Sequence, residues 1–225
     1  MKEQSYEEFY RSLFPFWDQL EERDREMLCQ NSLDRHYSKR ENVHGGQGEC
    51  TGAIVVRSGS LRTYLLSEEG REVTLYRLFP GDVCMLSASC VLKSIEFDVL
   101  VDAEEESDCW VINGKAFADL SERNVYVKNY ALETAVSRFS DVMWVMQQIL
   151  FMSFDRRLAI FLWDEMTKTN SSEIHLTHEQ IARYMGSARE VVSRMLKYFA
   201  HENIVSLSRG GIKILDQKRL KELAY

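Results

Sequence analysis

Apolar positions change their period twice along this chain. From about residue 40 to 112 they alternate with polar ones in short runs, such as AIVVRSGSLRTYLL, REVTLYRLF and DVLVDAEEESDCWVI. Glycines from Gly45 to Gly81 and polar clusters separate the runs. That alternation predicts half-buried strands of a small antiparallel barrel or jelly roll. Ahead of it, Leu13 to Leu33, with Trp17, Leu20, Met27 and Leu28, predicts short helices. After it, Leu132, Ala135, Phe139, Val142, Met146 and Ile149 follow a 3,4,3,4,3 spacing, which is a coiled-coil seam. Val136, Met143 and Leu150 widen that stripe, as when a helix packs on a partner helix and on its own barrel together.

The last third switches to two short helices joined by a glycine, LTHEQIARYMGSAREVVSRMLK. Thr177-His178-Glu179-Gln180 reads as a capping box, and Ser187-Ala188-Arg189-Glu190 as a second one. Gly186 between them can adopt the left-handed backbone that ends one helix and lets the next turn away. This is a helix-turn-helix pattern. On the second helix Val192, Met195, Leu196 and Phe199 share one face, and Arg189, Glu190, Ser193, Arg194 and Lys197 the other. Arginine forks can hold guanine in a major groove, and a carboxylate can accept from cytosine. A solvated helix with a Glu190–Arg194 pair would carry the same residues. Downstream, Ile204, Val205 and Leu207, a turn at Arg209-Gly210-Gly211, then Ile212 and Ile214 predict a β-hairpin. Such a hairpin is a wing, with Arg209 at its tip placed to reach a phosphate.

Charge supports that reading. The 225 residues carry a net −7, yet residues 153–225 hold 12 Lys+Arg against 9 Asp+Glu. An acidic chain with one basic module suits local contact with nucleic acid. No run of about 18 apolar residues could span a bilayer, and the acidic N-terminus lacks a signal pattern. The expectation is a cytoplasmic protein with no membrane partner. Five cysteines without a secretion signal argue for free thiols.

The order V-R-S-G-S-L-R-T-Y, then F-P-G-D-V, together with Arg189, Glu190, Val192, Ser193 and Arg194, resembles the Crp/Fnr family of bacterial transcription regulators over nearly the whole chain. The resemblance implies an α+β fold: an N-terminal antiparallel β jelly roll of the cyclic-nucleotide-binding kind, a long dimerisation helix and a C-terminal winged helix-turn-helix. Its implied domains are an effector-sensing roll at 1–120, the dimerisation helix at 121–152, and a DNA-binding domain at 153–225, with a hinge from Ser153 to Arg157. It implies a homodimer on a palindromic operator in double-stranded DNA, with RNA polymerase as a further partner of an activator. The implied DNA-facing positions are Thr177, His178, Glu179, Ser187, Ala188, Arg189, Glu190, Val192, Ser193, Arg194, Lys197 and Arg209.

Departures from the family bear on the effector. Phe97 and Asp98 stand where the cyclic AMP pattern has Arg and Ser, and Val142 and Met143 where a polar pair would meet adenine. A buried phosphate without a partner is unfavourable, which argues against cyclic AMP. Cys29, Cys50, Cys84, Cys90 and Cys109 lack the clustering an iron–sulfur centre needs. The expected pocket for a small-molecule effector involves Gly81, Asp82, Val83, Cys84, Cys90, Phe97, Val142 and Met143. A thiol-based sensor using Cys84 and Cys90 is an alternative. So is a cupin-like metal enzyme, although His44 and Glu49 alone fall short of a ligand set. No catalytic or metal-ligating residues are assigned.

Overall fold

The computed structural model describes residues 2–45, 50–88 and 99–225. Two compact units divide them: residues 1–65 with 75–142, and residues 66–74 with 143–225. The fold is α+β, as expected.

The first unit opens with α1 (Lys2–Leu13), a 3-10 turn (Trp17–Gln19) and α2 (Glu22–Gln30). Among the described residues eight strands follow: β1 (Ser32–Tyr37), β2 (Asn42–Gly45), β3 (Ala53–Ser58), β4 (Leu61–Leu66), β5 (Glu72–Leu78), β6 (Val83–Cys84), β7 (Leu100–Ala103) and β8 (Ser107–Ile112). They form two four-stranded sheets, ordered β1-β8-β3-β6 and β2-β7-β4-β5. The strands begin earlier than the alternation predicts. In β1 only the end residues are buried, so Ser32 to Tyr37 shows no period of two, yet it pairs with β8 from Ser32↔Ile112 to Tyr37↔Ser107. Leu33 therefore lies on a strand and not on a helix. Helix α1 is also unanticipated, because its sequence is mostly polar. It is held by aromatics one turn apart, with the Tyr6 ring 4.7 Å from Trp110 and Tyr10 5.4 Å from it.

Helix α3 (Gly114–Arg123) starts at Asn113, whose side chain accepts from the Ala116 amide. Then α4 runs unbroken over Val125–Phe151, 27 residues or about 40 Å. Of the seam positions, Ala135 and Val142 pack against the core of the first unit. Leu132, Phe139, Met146 and Ile149 stay exposed, Phe139 at 63%. The helix stops at Phe151, and α5 (Phe154–Thr169) begins after Ser153.

The second unit continues with β9 (Glu173–Ile174), α6 (His178–Met185), α7 (Arg189–His201), β10 (Val205–Ser208), β11 (Gly211–Ile214) and α8 (Gln217–Ala224). Its core gathers Leu158, Leu162, Ile181, Met185, Val192, Leu196, Phe199, Ile204, Ile212 and Leu220. Among the described residues no helix is long and apolar enough to cross a membrane.

Candidate nucleic-acid interface

Helix α6 begins as its sequence dictates. The Thr177 hydroxyl accepts from the Gln180 amide at 3.2 Å, while the Gln180 side chain accepts from the Thr177 amide at 2.9 Å. It ends at Gly186, with φ 60° and ψ 44°. The Ser187 amide donates back to the Ala182 carbonyl at 2.9 Å, closing a Schellman turn. Ser187 is thereby used to finish α6, and α7 is capped by Ala188 without a side-chain hydrogen bond. The expected second capping box does not form.

Helix α7 separates its faces cleanly. Val192, Leu196 and Phe199 are fully buried. Val192 therefore cannot touch DNA, and its place among the DNA-facing positions is corrected: the same apolar spacing that defines the helix turns it inward. Arg189, Glu190, Ser193, Arg194 and Lys197 line one open depression. Among the described residues no ion pair joins Glu190 to Arg194, so these groups are not spent on each other. Ala188 is exposed and Ser187 half-buried at the head of this face.

Side chains of α6 border the same helix. His178 is half-buried, and its imidazole is held below its ordinary pKa, first by burial and then by the neighbouring charges of Arg189 and Lys197. Glu179 lies 3.9 Å from Arg183 in an exposed pair. The wing pairs Val205↔Ile214 through Ser208↔Gly211, and Arg209 with Gly210 forms its exposed tip. A third strand, β9, adds Ile174↔Ile212 and Glu173↔Lys213 to the hairpin.

Residues 66–74 cluster with this unit. Arg71 donates through Nε, at 2.9 Å, and through Nη2 to the Gly186 carbonyl. Arg157 donates to the neighbouring Met185 carbonyl. Two guanidinium groups thus satisfy the carbonyls at the end of α6, which local sequence gives no means to foresee.

The expected effector residues divide. Gly81 sits at an exposed turn with φ 92°. Val83 and Cys84 are buried, Val142 packs on the core, and Met143 is exposed. Cys90 and Phe97 lie outside the described residues. Burial pushes the Cys84 thiol up, opposite to what a reactive thiolate needs. Cys29, Cys84 and Cys109 are free and buried, whereas Cys50 is disulfide-bonded, which corrects the expectation that every thiol is free. The parity of a cysteine count carries no information on which sulfurs a fold brings together. Asp82 accepts from Arg138 at 3.2 Å, and Arg138 also reaches Asp141 at 3.1 Å. Arg138, together with Tyr76 and Thr63, was absent from the expected pocket. Its only sequence sign is a lone arginine one turn before Val142 on α4.

Residues 156–223 match the family described as a Crp-like helix-turn-helix domain, and residues 34–124 the cyclic nucleotide-binding domain. A crystal structure from Eubacterium rectale ATCC 33656, assigned to transcriptional regulators of the crp/fnr family, is 46% identical, with a TM-score of 0.90 over 95% of this chain and 99% of that one. The Cyclic AMP receptor protein of Thermus thermophilus is 24% identical over 180 residues, 80% of this chain and 82% of the relative. The Fumarate and nitrate reduction regulatory protein of Vibrio cholerae is 23% identical over 208 residues, 86% and 82% of the two chains.

Proposed function

The chain belongs to the Crp/Fnr family of DNA-binding transcription regulators, and is not an enzyme; from that premise we propose how it acts. It is a homodimer that binds a palindromic operator under control of an effector taken up by the N-terminal domain. In this reading residues 1–120 sense, 121–152 dimerise and 153–225 bind DNA. One observation carries it: Arg189, Glu190, Ser193, Arg194 and Lys197 stand together on the open face of a helix whose opposite face is buried.

Glu190, Ser193 and Arg194 read base edges, and Arg189 adds a guanidinium at the start of the same helix. Lys197 and the wing's Arg209 hold phosphates, with Thr177, His178 and Glu179 at the backbone beside them. The exposed apolar positions of α4, from Leu132 to Leu150, supply the contact between two copies. Twofold symmetry then sets two recognition helices about one DNA turn, roughly 34 Å, apart. An effector shifts this assembly only by preferring one of its arrangements, because equal affinity for both would move nothing.

Selection of bound sequences from randomised duplex DNA tests the reading, paired with sedimentation of the free protein. Inverted repeats and a dimer are expected. Direct repeats, unselective binding or a monomer on DNA would overturn it.

A further inference from the structure

Among the described residues four buried polar side-chain atoms of the first unit have no hydrogen-bond partner: Nε1 of Trp17 by itself near the N-terminus, and the Thr63 hydroxyl on β4, the Tyr76 hydroxyl on β5 and Nε of Arg138 on α4. The last three lie together. The guanidinium carbon of Arg138 is 4.9 Å from the centre of the Tyr76 ring, and the Thr63 and Cys84 side chains come close enough to the Tyr76 hydroxyl to influence its ionisation, although neither makes a hydrogen bond of good geometry with it. Native interiors pair nearly all such atoms, so three orphans at one place point to something that binds there. Valine and phenylalanine would fill the same volumes as Thr63 and Tyr76 with no polar group to satisfy.

All three groups offer a proton. A guanidinium N–H cannot accept. Burial holds the Tyr76 phenol well above its ordinary value, so it stays protonated. What fits three neighbouring groups that can each donate, one of them cationic, is an acceptor carrying negative charge. The terminal nitrogens of Arg138 are at present held by Asp82 and Asp141. Asp82 is 36% exposed and can exchange its protein contact for water at little cost.

Resting on the effector reading above, we propose that the effector bears a carboxylate, which binds Arg138 together with the Tyr76 and Thr63 hydroxyls in competition with Asp82. The ligand's charge replaces that of Asp82 on the guanidinium, and the two hydroxyls gain the acceptor they lack. Asp82 is then a built-in competitor.

The test titrates the full chain with butyrate, hexanoate and benzoate, each beside its primary amide and a chloride control, reading thermal stability and heat of binding. Saturable binding of at least one acid, and not of its amide, is expected. Tyr76→Phe and Thr63→Val should each weaken that acid about 5- to 10-fold, the loss of one hydrogen bond. Asp82→Asn should tighten it, a sign that a merely structural role would not produce. Should Arg138→Gln fail to fold, these three variants still decide. Equal binding of the amides, no gain in Asp82→Asn, or no binding of any of the acids overturns the proposal. Operator binding without any acid separates the two readings: if it persists when the acids fail, only the ligand assignment falls.

Discussion

Arg71 grips the backbone carbonyl of Gly186, 115 residues further along the chain, with two nitrogens of its guanidinium. The carbonyl belongs to the turn between α6 and α7, and Gly186 is buried. Without Arg71 it would be left unpaired, and a hydrogen bond from a charged donor contributes about 1.5–3 kcal/mol. Arg71→Ala should lower the unfolding free energy by that amount, and Arg71→Lys should recover only part of it, because an ammonium lacks the fork. Denaturant titration checks this; an unchanged midpoint refutes it.

Gly186 itself is doubly constrained. Its φ is +60°, and an added Cβ would come within 2.8 Å of Val73 Cγ2. Gly186→Ala combines left-handed strain, roughly 1–2 kcal/mol, with a contact that forces Val73 to move. The expected total loss is at least ~1 kcal/mol, measured as a fall in Tm. A Tm equal to that of the parent protein would show the turn to be more pliant than its geometry states.

Base reading and phosphate holding separate experimentally. Glu190→Ala and Arg194→Ala should change the ranking of operator variants, costing about 1–3 kcal/mol at individual base pairs. Lys197→Ala should weaken all sequences alike and flatten the salt dependence of log K by about 0.9 per protomer, about 1.8 for a dimer. Competition binding at several salt concentrations distinguishes the two. Preserved ranking in Glu190→Ala would remove that residue from the reading set.

Two histidines should respond to pH with opposite sign. His178 is held below 6.5 in the folded chain, so between its folded value and 6.5 the unfolded chain binds more protons. Its contribution is present above pH 6.5 and is lost as pH falls through the lowered value. His36, raised by hydrogen bonds to Asp108 and Glu106, contributes fully below pH 6.5 and loses that contribution as pH rises through its folded value. Stability profiles of His178→Asn and His36→Asn, each subtracted from the parent, should slope in opposite directions. Parallel slopes would contradict one assignment.

Cys84 is buried in the first unit. A thiol reagent should label it only after unfolding, at a rate that tracks denaturant concentration. Prompt labelling of the native protein would revive the redox reading.

The winged module was legible because its signals are local. Thr177 meets Gln180 within one turn, Gly186 needs its left-handed backbone, and Val192, Leu196 and Phe199 mark a face by spacing alone. Where one residue serves two motifs, local reading fails: Ser187 looks like a cap for α7 but its amide closes α6. The first unit was less legible for the opposite reason. β1 owes its strand to pairing with β8 some 75 residues away, and Arg138, Tyr76 and Thr63 meet only through the sheet and α4. Nothing in the spacing of a lone arginine announces such a meeting.

The exposed apolar stripe on α4, with Phe139 and Leu150 at 63% and 65% exposure, would make abundance itself a variable of control. If a second copy is what shields those side chains, assembly follows mass action, and the binding-competent species grows with the square of chain concentration while most chains are single. Modest changes in synthesis or degradation would then be amplified at the promoter before any effector arrives.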